Sequence, residues 1–236
     1  MNDARLVDCI ITVGPSLRPL DLEQLKLDAR RRGVRVDWRR PIVRGDLIDA
    51  QARSPESTVL IIDGEFGQNL SVSVAEIRNV CLQGVPVHGA SSMGALRAVE
   101  CSNVGMIGHG WVFDQYHAGS VDADSDVALL YDPDTFEPAT IPMINVRWLV
   151  HRLVGIRLLT TQSAQVALEV AQDIFYANRL PHVLAMRWLQ ALSDDAAPLV
   201  SWLEPDQILL WDRKRIDALN AIEWIISKES RNKCST

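Results

Sequence analysis

The sequence contains few lysines and few cysteines, and neither residue type forms a familiar functional pattern. Four lysines stand against twenty arginines, so few side chains are available as a lysine base. The cysteines show no C-x-x-C pair and no cysteine–histidine ligand spacing, which argues against a zinc site and a disulfide framework. We therefore expect free thiols, no metal and no cofactor. The cysteines are Cys9, Cys81, Cys101 and Cys234.

Long apolar runs and phosphate-binding loops are also missing. No segment approaches the 18 or so uninterrupted apolar residues of a membrane span, and no Walker or Gly-x-Gly-x-x-Gly loop is present. The first five residues are polar and no long apolar run follows them, so no signal peptide is predicted. These features predict a cytoplasmic protein that does not bind a membrane.

The net charge of −6 makes nucleic acid a poor default partner. A local exception is the run of three arginines at residues 30–32, which is followed by Arg35, Arg39 and Arg40. This run could bind nucleic acid or an acidic protein. Its simpler interpretation is a solvated helix end beside a strand edge, because charge runs usually face water.

The first hundred residues alternate between strand-like and helix-like patterns. Apolar runs near residues 9–13, 34–38, 58–62 and 85–88 are separated by helical spacing and by glycines. This order predicts an α/β fold, with an N-terminal parallel-sheet domain and right-handed crossover helices over residues 1–144. From residue 145 the pattern is helical, which predicts an α-helical C-terminal region over residues 145–236 that packs on the core or on a partner. Residues 127–131 are a candidate for one further strand.

Several polar residues follow the carboxyl ends of the predicted strands. Ligands of parallel α/β sheets bind beyond these ends, so such residues are expected to share one rim. The expected rim contains Ser16, Arg44, Asp63, His88, Ser91 and Ser92.

The most informative part of this rim is the serine turn at residues 89–98. Gly89 and Ser91 begin a G-x-S-x-G pattern, but Met93 stands where the second glycine belongs and Gly94 comes one residue later. A serine at a turn from strand to helix can face the unpaired N–H groups of the first helical turn, which suit an anion or an oxyanion. Ser91 or Ser92 could equally be only the N-cap of that helix.

The other rim residues also have simple structural interpretations. Asp63 could cap the turn that follows its strand. Arg44 could be an ordinary surface residue instead of an anion clamp. His88 could pack beneath the serine turn without a chemical role. The residues alone leave these alternatives open.

Taken together and in order, six segments resemble the TfuA-like family, and the serine turn is the longest and most specific of them. The resemblance covers about residues 10–150. The segments are residues 13–17, 44–47, 62–66, 89–98, 112–116 and 142–147.

This resemblance implies a role in peptide-backbone thioamidation, in the biosynthesis of ribosomally made peptides, beside a YcaO protein. TfuA-like proteins are thought to hydrolyse a ubiquitin-like sulfur-carrier protein with a C-terminal thiocarboxylate. The released sulfide serves YcaO, so the precursor peptide is an indirect partner. The family's active site is described as a serine–lysine pair. The serine corresponds best to Ser92, with Ser91 as the alternative, but many relatives have a lysine where this chain has Ala75.

The implied chemistry assigns a role to each candidate. Ser92 would attack the thiocarboxylate carbon, and Asp63 or His88 would orient the serine or a water molecule. The N–H groups of Met93 and Gly94 would hold the oxyanion. The expected substrate-binding residues are Arg44, Ser16, Met93, Gly94, Arg97 and Asn145. The alternative, favoured by Ala75, is a non-catalytic adaptor that binds YcaO and helps it to engage the peptide.

Overall fold

Parallel β-strands form the centre of the N-terminal part of the chain in the computed structural model, which describes residues 7–67 and 69–234, without the side chain of Cys234. Five strands pair in the order β2-β1-β3-β4-β5, and every pair is parallel. The predicted α/β class with a parallel sheet is therefore confirmed. The strands are β1 (Cys9–Thr12), β2 (Val36–Arg39), β3 (Thr58–Ile61), β4 (Val87–Ala90) and β5 (Ile107–His109).

Helices cover both faces of this sheet because side chains of successive strand residues point to opposite sides. These helices are α1 (Pro19–Arg31), α2 (Asp46–Arg53), α3 (Val74–Leu82), α4 (Met93–Glu100) and α11 (Arg213–Cys234), and α5 (Gly110–His117) follows β5. Ile11 packs with α1 and α11, whereas Ile10 packs with α2, α3 and α4.

The fifth strand is not the one expected from the sequence. Residues 127–131 form no strand, and only Tyr131 makes an isolated bridge to Pro138. The strand that completes the sheet is the three-residue β5, which contains Gly108 and is directly followed by Gly110. So short a strand at an edge carries too little hydrophobic pattern to be recognised.

Five further helices form a separate unit with its own core. They are α6 (Met143–Gly155), α7 (Thr161–Gln172), α8 (Pro181–Leu192), α9 (Ala197–Ser201) and α10 (Pro205–Trp211). Trp188 and Trp211 are fully buried in this core. Their indole N–H groups donate to Ala167 O at 2.9 Å and to Trp202 O at 2.7 Å, so both polar atoms are satisfied. The predicted helical C-terminal region is confirmed.

The chain divides into two units, one formed by Met1–Asp122 with Asp217–Thr236 and the other by Ala123–Ile216. The sequence predicts a single boundary at residue 144, because the return of the last helix to the sheet is not visible in a local pattern. No helix within the described residues is long and apolar enough to cross a membrane. The polar N-terminus that predicts no signal peptide lies outside the described residues.

Candidate active site

The sheet has a point where the chain reverses its direction of winding, between the neighbouring strands β1 and β3. From β1 the chain crosses over to β2 on one side, and from β3 it crosses over to β4 on the other. Such a point leaves a crevice at the carboxyl ends of the strands, where α/β proteins bind ligands. Ser16 follows β1 and Asp63 follows β3, so both lie at this crevice.

The Asp63 carboxylate is buried and holds the turn after β1. Its Oδ2 atom accepts hydrogen bonds from the N–H groups of Gly14 at 2.9 Å and Ser16 at 3.0 Å. Its Oδ1 atom accepts a hydrogen bond from Ser16 Oγ at 2.7 Å. With the residue only 2% exposed, three donors replace the water that the carboxylate loses on burial.

Ser91 occupies a strained turn between β4 and α4. Its φ of 68° lies in the left-handed region, which costs a residue other than glycine about 1–2 kcal/mol. The nucleophile of an α/β-hydrolase stands on the same kind of sharp turn from strand to helix. The backbone conformation therefore marks Ser91, the alternative in the sequence analysis, as the serine at the elbow.

Two glycines allow this turn to pack tightly against the sheet. A Cβ atom on Gly94 would lie 1.8 Å from the carbonyl oxygen of Ile61, and one on Gly89 would lie 2.0 Å from the carbonyl oxygen of Gly94. Neither position has room for a side chain. The second glycine is needed at position 94 and not at 93, which explains why the G-x-S-x-G pattern is only partly matched.

A chain of hydrogen bonds connects the elbow serine to the carboxylate. Ser91 Oγ donates to Ser16 Oγ at 3.0 Å, and Ser16 Oγ donates in turn to Asp63 Oδ1 at 2.7 Å. All three residues are buried. A proton leaving Ser91 can therefore pass to Ser16 while Ser16 passes its own proton to the carboxylate. The sequence predicts that these residues share a rim but does not predict that Ser16 links the other two.

Ser92 has a different position at the start of α4. It is the N-cap residue, and its carbonyl accepts a hydrogen bond from Ala95 N–H at 3.0 Å. Across residues 7–67 and 69–234 its hydroxyl makes no hydrogen bond, and its own N–H donates to Ala90 O at 2.8 Å. The geometry thus favours Ser91 over Ser92 as the nucleophile.

The N–H groups expected to hold an oxyanion differ in availability. Gly94 N–H donates to Ile62 O at 3.1 Å, so this donor is already used in packing α4 against the sheet. Met93 N–H has no acceptor in the described part of the chain. Among the two expected donors, the one at position 93 is therefore available at the N-terminus of α4.

His88 packs against aromatic side chains, and no hydrogen bond joins it to Ser91 or Ser92 in the described part of the chain. Its Nδ1 atom lies 2.9 Å from His109 Nε2, and its ring centroid lies 5.3 Å from that of Trp224 on α11. Burial, with a smaller contribution from His109, lowers the pKa of His88 to about 3. A neutral imidazole packed in this way matches the alternative in which His88 has a structural role.

The buried Glu76 of α3 holds the turn that carries Arg44, a contact that no local sequence pattern predicts. Glu76 Oε1 accepts hydrogen bonds from the N–H groups of Gly45 at 3.0 Å and Leu47 at 3.1 Å. Arg44 itself is exposed. Ala75, the position where many relatives have a lysine, is exposed on α3 and directly precedes this buried glutamate.

Arg97 and Asn145 have protein partners. The Arg97 guanidinium donates to Val72 O at 2.9 Å and to Glu100 at 2.6 Å, which ties α4 to the segment before α3. Asn145 belongs to the helical unit, where its Nδ2 atom donates to Asp212 Oδ1 at 2.8 Å. The hydrogen bonds of both residues are explained by the fold, and their predicted substrate contacts stay predictions.

Two of the cysteine thiols are buried in the unit that carries the site. Burial raises the pKa of Cys9 to about 12 and that of Cys101 to about 11, so both thiols stay protonated near neutral pH. Among the residues described, no group of three or more histidine, cysteine, aspartate or glutamate side chains could hold a metal ion. The hydrogen-bond chain from Ser91 through Ser16 to Asp63 is therefore the candidate for nucleophilic chemistry at this crevice.

A comparison with models of known protein families shows which family the chain belongs to. The sequence model of the family described as TfuA-like protein matches residues 63–180, which is half of the chain. The chain belongs to the TfuA-like family. The TfuA-like match begins at Asp63 and includes Ser91, whereas Ser16 lies before it. No curated protein matches the chain closely enough to add to this assignment.

TfuA-like membership supports a role in the pathway associated with YcaO proteins. The matched residues contain the elbow serine and the carboxylate, so the family assignment and the site geometry concern the same part of the chain. The third member of the hydrogen-bond chain, Ser16, lies in the turn after β1, outside the matched residues.

Proposed function

We propose that this TfuA-like protein hydrolyses the C-terminal thiocarboxylate of a ubiquitin-like sulfur-carrier protein and delivers the sulfide to a partner YcaO enzyme for backbone thioamidation of a peptide. One observation supports a hydrolase most directly: Ser91 stands at a strained elbow and is linked through Ser16 to the buried Asp63 carboxylate. Ser91 is assigned as the nucleophile, in preference to Ser92.

In the first step Ser91 Oγ attacks the acyl carbon of the thiocarboxylate. The proton of Ser91 moves to Ser16 as Ser16 gives its proton to Asp63. The carbon–sulfur bond then breaks, an ester forms on Ser91, and the sulfur leaves as HS⁻ with the proton that Asp63 returns through Ser16.

In the second step a water molecule hydrolyses the ester. Water attacks the acyl carbon, the carbon–oxygen bond to Ser91 breaks, and the carrier leaves with a carboxylate. One proton of the water returns to Ser91, and the other leaves to solvent, where it can protonate HS⁻. The overall reaction consumes one water and one thiocarboxylate and gives one carboxylate and hydrogen sulfide, with no oxidant or reductant.

The negative charge that develops on the acyl oxygen in both steps needs a hydrogen-bond donor. Met93 N–H, at the N-terminus of α4, is assigned this role because the neighbouring Gly94 N–H is bonded to Ile62. Arg44 is proposed to attract the anionic thiocarboxylate, because it is an exposed cation on the turn whose N–H groups bind Glu76.

Ser91 is fully buried, so the acyl carbon can reach it only after a neighbouring segment moves. Loops and domains that open to admit a substrate and close over it occur in many enzymes, with motions on the microsecond to millisecond timescale. The same burial favours a second candidate function, an adaptor that engages YcaO without turnover, because a serine that never becomes accessible has no catalytic use.

The test is sulfide release from a thiocarboxylated carrier under single-turnover conditions. Ser91→Ala should reduce the rate by at least about a hundredfold, as expected when a nucleophile is removed. Ser92→Ala is the matched control, because it is the adjacent buried serine, and it should retain most of the activity. Equal rates for Ser91→Ala and wild type would refute the nucleophile.

A second assay separates the hydrolase from the adaptor. YcaO-dependent thioamidation is measured with either the thiocarboxylated carrier or free sulfide as the sulfur source. The hydrolase requires that Ser91→Ala fails with the carrier and works with free sulfide. The adaptor requires that Ser91→Ala works equally well with both sources.

A further inference from the structure

A second concave surface lies between α1 and the edge strand β2. It forms a groove with a volume of about 550 Å³. Val36 and Trp38 of β2 and Ala29 of α1 supply its apolar lining, and Lys26, Arg30 and Arg35 supply positive charge. The groove therefore combines an apolar floor with a basic border.

One side of β2 has no partner strand within the described residues, because β2 is at the end of the sheet order. Cys9 N–H donates to Arg35 O, and Val13 N–H donates to Arg39 O at 3.0 Å. Backbone groups of alternate residues in a parallel strand point to opposite edges. The N–H and C=O groups of Val36 and Trp38 therefore point to the open edge, beside the groove that their side chains line.

The charge of the groove favours an acidic partner. Three basic side chains and one carboxylate, that of Glu23, line it. Lys26 pairs with Glu23 at 2.8 Å, and Arg35 pairs with Asp8 at 3.3 Å. Arg30 is exposed and has no ion pair among the residues that the structure describes, although the protein as a whole has a net charge of −6.

We propose that this groove binds an extended acidic peptide segment of a partner protein, which adds to the sheet as a strand beside β2. Backbone hydrogen bonds to Val36 and Trp38 would hold the segment, and alternate side chains would enter the groove. An acidic side chain of the segment pairs with Arg30, and an apolar one packs on Trp38. This inference does not depend on the hydrolase mechanism.

The probe is a fluorescein-labelled synthetic peptide with the repeat Val-Ser-Glu-Ser, in which the valine and glutamate side chains lie on the same face of an extended strand. Binding is followed by fluorescence anisotropy. The complex should weaken as salt is raised, because the charged contacts are exposed. Arg30→Glu should weaken binding by about fivefold or more, since an attractive pair becomes repulsive. Arg31→Glu is the control, because Arg31 is the adjacent exposed arginine and does not line the groove.

Backbone methylation of the peptide tests strand addition itself. Methylating the N–H groups of one alternate set of residues should abolish binding, whereas methylating the other set should leave it intact, because only one set faces β2. Binding should also slow hydrogen exchange of the Val36 and Trp38 amides.

Any of five results would overturn the proposal. The valine–glutamate peptide shows no binding, or its valine–lysine counterpart binds equally well. The two methylated peptides behave alike. Arg31→Glu weakens binding as much as Arg30→Glu. A single-stranded oligonucleotide displaces the peptide and binds more tightly, which would assign the patch to nucleic acid. All variants are checked for unchanged thermal unfolding before binding is compared.

Discussion

Replacing Asp63 with alanine should destabilise the protein strongly, whatever its catalytic role. The change removes the acceptor of the Gly14 N–H, Ser16 N–H and Ser16 Oγ–H groups at a position that is 2% exposed. A buried donor left without an acceptor costs about 1–3 kcal/mol, so three of them should cost roughly 3 kcal/mol or more. The turn that carries Ser16 should loosen as well.

Replacing Asp63 with asparagine should separate stability from activity. The asparagine oxygen can still accept from the two backbone N–H groups, and its NH₂ group can donate to Ser16 Oγ. The loss of stability should then be only about 1–2 kcal/mol, the difference between charged and neutral hydrogen bonds. Proton transfer from Ser91 loses its final acceptor, however, so sulfide release should fall far more than stability.

Both effects can be measured by urea unfolding at constant slope, together with sulfide release under conditions where each variant is folded. An Asp63→Ala protein within about 1 kcal/mol of wild type would refute the idea that the carboxylate holds this crevice together. An Asp63→Asn protein with wild-type sulfide release would refute its role as the proton acceptor.

Three other changes test separate parts of the account. Gly94→Ala should lower the free energy of unfolding by about 3 kcal/mol or more, because the new Cβ would push α4 away from the Ile61 carbonyl. Gly155→Ala is the control in the same urea assay, because a Cβ there meets no atom, and it should be neutral or stabilising. Burial lowers the pKa of His88 from 6.5 to about 3, so the free energy of unfolding should fall as the pH drops from about 6.5 toward 3. His88→Phe should flatten this part of the pH profile, and an unchanged slope would contradict the assignment. Ala75→Lys should change sulfide release by less than about twofold if Asp63 is the base; a large increase would show that a lysine is needed.

Most of the parallel sheet could be predicted because its central strands are continuous apolar runs that end at glycines or turns. The run that becomes β3 is buried on both faces, which is the pattern of a central parallel strand. The edge strand β5 escaped prediction because three residues around a glycine have no such run. Which helix of the C-terminal region packs on the sheet could not be predicted, since contacts over this separation leave no local signal.

The site could be predicted as a set of residues but not as a geometry. Strand ends indicate that Ser16, Asp63 and Ser91 share a rim, because parallel strands end at one edge. The choice between Ser91 and Ser92 depends on the backbone φ of 68° at Ser91, which cannot be predicted from two adjacent serines in a sequence. The bridging position of Ser16 depends on β1 lying beside β3, which is a property of strand order.

The most direct test of the central claim is to locate the carrier acyl group on the protein. The thiocarboxylated carrier is mixed with wild-type protein, the reaction is stopped rapidly with acid, and the digested protein is mapped by mass spectrometry. The account predicts an ester on Ser91 that forms together with the release of sulfide. An ester on Ser92 or on another residue, or sulfide release that proceeds unchanged in Ser91→Ala with no ester, would contradict it.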